Sequence, residues 1–107
     1  MARTVKEYFE AMPAAFQKDV AARLNAIYQF DLGGEGGGKW FVQLSDGALE
    51  VGEGEKEKPD VVVTALATDY VEIAEGRMTP MLAMVTGKFK ISGNLGLAMK
   101  LQQLFKR

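Results

Sequence analysis

The 107-residue chain contains no cysteine and no histidine. Without cysteine there are no disulfides, no thiol redox chemistry and no Cys–His nucleophile. Without histidine the Ser–His arrangement is lost as well, together with the usual zinc and copper ligands and the side chain that titrates nearest neutral pH. Acid–base chemistry would fall to Asp, Glu, Lys and Tyr, and no spacing of these residues marks a site. No enzyme, metal or cofactor is expected. No apolar run approaches the roughly 18 residues of a membrane-spanning helix. The opening residues, MARTVKEYFEAM, have neither the apolar core nor the cleavage site of a signal peptide. The expectation is a cytoplasmic protein, which the lack of disulfides fits.

A second absence is local. The net charge is −1, which gives no global attraction to nucleic acid. Yet no Asp or Glu follows Arg77, while Arg77, Lys88, Lys90, Lys100, Lys106 and Arg107 are basic. Two readings stay open: a surface facing lipid headgroups or the acid group of a ligand, or a solvated face balanced by the acidic N-terminal half.

A chain of this length makes one domain, residues 1–107, with one core; a large cavity competes with that core for apolar residues. Val5, Phe9, Met12, Phe16, Val20 and Leu24 recur at helical intervals over Thr4 to Asn25. Thr4 and Glu7 have capping-box spacing. Pro13 is expected to break or kink this helix near Met12 and to start a second helical piece. The period then becomes two. Tyr28, Phe30 and Leu32 share one face, as do Trp40, Val42 and Leu44 in KWFVQLS. Asp46-Gly47 marks a hairpin returning through Leu49 and Val51. DVVVTALA is nearly continuous in apolarity and is expected to be the most buried strand. Thr68 or Asp69 caps a helix that ends at Gly76, and Thr79-Pro80 starts another that ends at Gly87. In KFKIS, Phe89 and Ile91 point inward. Gly93-Asn94 opens a last helix, Leu95 to Phe105. The order α-β-β-β-β-α-α-β-α predicts an α+β fold: a five-stranded, mainly antiparallel sheet with helices on one face.

The glycine loop tests a nucleotide reading. Gly33 through Gly38-Lys39 spells G-x-x-x-x-G-K, the start of a P-loop, but Trp40 stands where Ser or Thr would hold magnesium. A P-loop must lead into a helix, and this one leads into a period-two strand. The glycines read as a flexible connection between antiparallel strands.

Met78, Met81, Met84 and Met99 concentrate in the last third. Methionine adapts to varied apolar shapes, so these residues either line a site or fill gaps in a core, their commoner use. The last helix carries Leu95, Leu97, Ala98, Met99, Leu101, Leu104 and Phe105, with only Lys100, Gln102 and Gln103 to solvate it. A helix apolar around so much of its circumference is buried on several sides or faces something apolar that is not this chain.

Thr86-Gly87-Lys88, Lys90-Ile91-Ser92-Gly93-Asn94 and Gly96-Leu97-Ala98-Met99-Lys100-Leu101 closely resemble the C-terminal signature of the sterol carrier protein type 2 family. More loosely, DVVVTALATDYVEIAEGRMTP resembles that family's fourth strand and the two helices after it, and GGKWFVQLSDGALEV its central hairpin. The resemblance covers nearly the whole chain. It implies helices enclosing an apolar tunnel against the sheet, and binding of fatty acids, fatty acyl-CoA, sterols or phospholipids without catalysis. The lining it implies is Trp40, Val63, Phe89 and Ile91 from strands, and Tyr70, Ile73, Met81, Met84, Leu95, Leu97, Met99 and Leu104 from helices. A polar head would sit at a mouth near Lys100, Gln102 or Gln103. The chain ends in FKR, so the Ser-Lys-Leu peroxisomal signal of many eukaryotic relatives is not expected, nor is a fused domain. An open or shared tunnel mouth would favour a homodimer or transient membrane contact. The rival expectation is a non-catalytic dimeric or accessory module whose apolar face contacts protein.

Overall fold

The computed structural model describes residues 4–21 and 24–104, without the side chains of residues 20, 21 and 102. Helix α1 (Val5–Ala15) opens on the capping box: Glu7 N–H donates to Thr4 Oγ1 at 3.2 Å, and Thr4 N–H donates to Glu7 Oε1 at 2.9 Å. Its buried stripe holds Val5 and Phe9. Pro13 does not break it at Met12. The proline lies in the last turn, where it cannot donate a helical N–H, and the chain leaves the helix three residues later, at Phe16. A four-residue turn, α2 (Lys18–Ala21), follows.

Strands β1 (Ala26–Gly33), β2 (Gly38–Ser45) and β3 (Ala48–Glu53) form an antiparallel meander. Asp46 and Gly47 both take positive φ, 49° and 83°, as a tight two-residue hairpin requires. At the glycine loop, a Cβ on Gly37 would stand 2.2 Å from the Leu32 carbonyl oxygen, so the close return of the chain permits no side chain there. The loop enters a strand, and Lys39 pairs with Glu55 in solvent.

β4 (Val61–Leu66) runs parallel to β1, and β5 (Phe89–Gly93) antiparallel to β4, giving the order β3-β2-β1-β4-β5. Three of the four pairings are antiparallel. The most buried strand is central β1, not β4, whose Thr64 and Leu66 are exposed. Asp60 makes the parallel junction: its backbone N–H donates to the Ile27 carbonyl (2.9 Å), and its carboxylate accepts from Ile27 N–H (2.8 Å).

Helix α3 (Ala67–Ala74) grows directly out of β4 with Leu66 as its cap. Thr68 and Asp69 therefore lie in its first turn and make no cap. Gly76 (φ 80°) follows its end. α4 (Pro80–Val85) begins as expected, with Thr79 Oγ1 accepting from Leu82 N–H at 3.1 Å and proline in the first turn. α5 (Leu95–Leu104) is capped by Asn94 Oδ1, which accepts from Leu97 N–H at 3.0 Å. Phe105 lies outside the described residues.

The registers bring Tyr28, Val42 and Val61 into one row, and Trp40, Phe30, Val63 and Ile91 into the next, all on one face. Phe9 packs against this face, stacked on Trp40 (5.0 Å) and Tyr70 (5.3 Å) and edge-on to Phe30 (5.1 Å). The opposite face carries a smaller arrangement. Buried Gln29 donates to the Trp40 and Gly54 carbonyls and accepts from Lys56 N–H, and Lys56 Nζ lies 4.5 Å above the Phe41 ring.

Candidate functional site

A cavity of about 990 Å³ lies between the sheet and the helices. Its floor is Phe30, Val63, Phe89 and Ile91, neighbours across β1, β4 and β5. α1 contributes Tyr8, Ala11 and Met12, α3 contributes Tyr70 and Ile73, and α5 contributes Ala98 and Leu101. The volume sits at the upper end of the roughly 300–1,000 Å³ typical of small-molecule sites, and the lining is mainly apolar, as such sites are.

α5 is held over the cavity by three links. The Tyr28 hydroxyl donates to the Leu97 carbonyl at 2.7 Å. Gln17 N–H donates to the Leu104 carbonyl at 2.7 Å, and Asn94 N–H to the Asp60 carbonyl at 2.9 Å. The last link needs Gly93: its φ is 100°, and a Cβ there would stand 2.2 Å from the Asp60 carbonyl oxygen. Burial, then the charge of Asp60, push the Tyr28 phenol up to about 12.

Glu75 is the single charged residue on the cavity wall among the described residues. A hydrogen bond from Tyr8, ahead of the Arg77 guanidinium, holds its carboxyl below the usual range. Arg77 also grips Glu72 through Nε (2.8 Å) and Nη2 (3.1 Å), which lowers Glu72 in turn. Two carboxylates share one guanidinium here, and the charge of Lys88 also acts on Glu72, so the cations at this end already face carboxylates of the chain itself. Among the described residues no group of three or more acidic side chains could hold a metal ion.

Of the lining residues expected from sequence, Val63, Tyr70, Ile73, Phe89 and Ile91 lie on the cavity wall. Trp40 and Leu104 are buried in the core, away from the wall; Trp40 reaches Tyr70 only through the ring of Phe9. Leu97 packs against the core and offers its carbonyl to Tyr28. Met81 (76% exposed), Met84 (44%), Leu95 (61%) and Met99 (75%) face outward. The reason is helical phase. On α5, Leu97, Ala98, Leu101 and Leu104 take the inner face, which leaves Leu95 and Met99 outside. The six-residue α4 buries only Ala83. Lys100 and Gln103 are exposed, and the Gln102 side chain lies outside the described residues. The α1 contribution was missed, although Tyr8, Ala11, Met12 and Ala15 form a second apolar stripe at helical spacing.

The SCP-2 sterol transfer family matches residues 5–106. Hydroxysteroid dehydrogenase-like protein 2 of Mus musculus is 39% identical over 101 residues, covering 94% of this chain and 21% of that protein. The chain thus spans about a fifth to a quarter of the length of the curated relatives it matches. A sterol carrier protein domain 2 of Helicoverpa armigera has a similar structure (TM-score 0.72, 36% identity, 92% of this chain and 80% of that one). So does a palmitated sterol carrier protein 2-like 2 of Aedes aegypti (TM-score 0.76, 28% identity, 92% and 91%).

Proposed function

The chain belongs to the SCP-2 sterol transfer family, and from that premise we propose that it carries lipid, holding an acyl chain or similar apolar body in the cavity between sheet and helices. The observation that carries this reading is the apolar cavity of about 990 Å³. Its floor of rigid strand residues is fixed, while Met12, Ile73 and Leu101 on the helices can adjust to different ligands. About ten buried methylenes would contribute roughly 8 kcal/mol before ordering costs, so a net of about 8 kcal/mol, the micromolar range, calls for burial of a longer stretch of chain. No precise polar code is needed. The palmitated relative supports an acyl chain as ligand, with fatty acid, fatty acyl-CoA, sterol and phospholipid as the classes to compare. Closure of the cavity into a tunnel around the bound chain belongs to the same proposal.

The Glu75 carboxylate on the wall, with the neighbouring cations already engaged by Glu72 and Glu75, argues against seating a free carboxylate beside α3. The head is therefore proposed to leave at the other end, towards α5. The domain's part is binding, not turnover. Any dehydrogenase step suggested by the name of the longer relatives is not assigned to these residues.

The test is native mass spectrometry of delipidated protein titrated with palmitate, palmitoyl-CoA and a sterol, with Trp40 emission alongside. Saturable one-to-one uptake of at least one lipid is expected. Because Trp40 stands behind Phe9, its emission should shift only modestly, and the mass measurement decides. No saturable uptake of any of the three would remove the proposal.

A further inference from the structure

Six of the seven large apolar side chains that stand exposed among the described residues belong to two helices: Met81, Leu82, Met84 and Val85 on α4, Leu95 and Met99 on α5. Every residue of α4 is apolar, and only Ala83 is buried. Water therefore meets a helix with no polar side chain to solvate it. Both helices also touch the cavity, α4 through Pro80 and α5 through Ala98 and Leu101. The exposed apolar surface thus flanks the proposed lipid site.

The stretch of chain that carries it is basic. From Gly76 onward the chain has six basic residues and no acidic one, against seven basic and fourteen acidic before it. Arg77 and Lys88 bracket α4, Lys88 and Lys90 stand exposed at the edge strand β5, and Lys100 adjoins Met99. The carboxylates of Glu72 and Glu75 are held by Arg77, and Lys88 also acts on Glu72.

We propose that α4 and the outer face of α5 dock on an anionic lipid bilayer, with Leu82 and Val85 entering the acyl boundary and the lysines meeting the headgroups. This rests on the lipid-carrier reading, and it names the partner from which the cavity loads. An apolar helix face rimmed by long basic side chains matches the chemistry of the bilayer interface, where apolar groups sink and lysines extend to the phosphates. A second copy of the chain fits less well, because a two-fold contact would set Lys88 and its neighbours against their own equivalents. No helix among the described residues is long and apolar enough to cross a membrane, so the contact is peripheral.

The test is flotation of the full chain with vesicles of phosphatidylcholine alone and with about 30% phosphatidylserine added. Binding is expected only to the anionic vesicles and should weaken steeply with salt. Leu82→Ser with Val85→Ser should weaken it at least about tenfold. Lys88→Gln should weaken it about fivefold. Both variants should retain palmitate uptake in solution by native mass spectrometry. Equal binding to neutral vesicles, or anionic binding unmoved by both variants, would overturn the docking surface. So would a solution dimer that Val85→Ser dissolves, because the face would then cover a second copy. Failure of the unvaried protein to take up palmitate, palmitoyl-CoA or sterol would count against the cavity reading and leave the vesicle result standing.

Discussion

Replacing Tyr28 with phenylalanine removes one hydroxyl and keeps the ring. That hydroxyl joins the central strand to α5 through the Leu97 carbonyl at 2.7 Å, from a side chain with no exposed surface. One such hydrogen bond contributes about 1 kcal/mol net, so Tyr28→Phe should cost about that much near neutral pH. At high pH the sign reverses. Burial first, and the Asp60 charge second, push the phenol from 10.0 up to about 12. Where the unfolded chain releases this proton, the folded chain keeps it. The resulting stability is whole below pH 10 and is lost as pH rises through about 12. A shift of about two units corresponds to at most about 2.7 kcal/mol. Even halved for solvent screening, that loss exceeds the advantage of about 1 kcal/mol before about pH 12. Urea denaturation of both proteins at about pH 8, 10 and 11.5 follows the crossover, with m-values checking that the transition stays two-state. The native protein should be the more stable at the low end and the less stable at the high end. Asp60→Asn should move the crossover upward in pH less than burial sets it, since its charge is the smaller cause. A difference between the two proteins that does not change with pH would refute the reasoning, because the phenol would then ionise as freely folded as unfolded.

Three further outcomes follow from the geometry. Gly93→Ala places a Cβ 2.2 Å from the Asp60 carbonyl oxygen at φ 100° and should cost at least about 3 kcal/mol, whereas Gly87→Ala, at φ 79° with open space around it, should cost about 1–2 kcal/mol in the same urea titration. Ala98→Phe fills part of the cavity from α5; palmitate affinity by calorimetry should fall at least about tenfold, and unchanged affinity would place the ligand elsewhere. Glu75→Gln removes the charge from the cavity wall. It should leave uptake of a long-chain alcohol unchanged and should not weaken palmitate at neutral pH. A marked loss of palmitate alone would mean that the carboxylate head sits beside α3 after all.

Much of the fold could be read from the residues because both periodicities are clean. The alternation of Tyr28, Phe30 and Leu32 against Trp40, Val42 and Leu44 sets the inner face, and Asp46-Gly47 and Thr79-Pro80 carry their own turn and cap chemistry. The parallel pairing of β1 with β4 was not readable. It depends on Asp60 meeting Ile27 across 33 residues, a contact no local pattern encodes. Pro13 misled because proline is costly inside a helix, yet here the helix runs on through it to Ala15. In the candidate site, alternation put the strand residues on the buried face, since a strand has two sides and one is buried, but it could not tell that Phe9 would stand between Trp40 and Tyr70. Helix residues were harder. α5 is apolar around most of its circumference, so hydrophobicity alone could not separate Ala98 and Leu101 from Leu95 and Met99. Only packing against Tyr28 and the sheet fixes that phase.

The central place of β1 bears on how the protein is made. A ribosome delivers residues 26–53 before β4, and these can close into the β1–β2–β3 meander ahead of it, with α1 already made. The strand destined for the middle is then an edge, with one row of peptide groups unpaired and an apolar face uncovered. Seven residues, Gly54–Asp60, separate the meander from β4. At about 5–20 residues per second the open edge waits roughly a second before Asp60 latches onto Ile27. The apolar face waits longer, until α5 emerges and Leu104 meets Gln17 from the other end of the chain. Lengthening the connection between Lys56 and Asp60, which spares the Gln29 contacts with Gly54 and Lys56, would prolong the interval in which one nascent chain can pair with another.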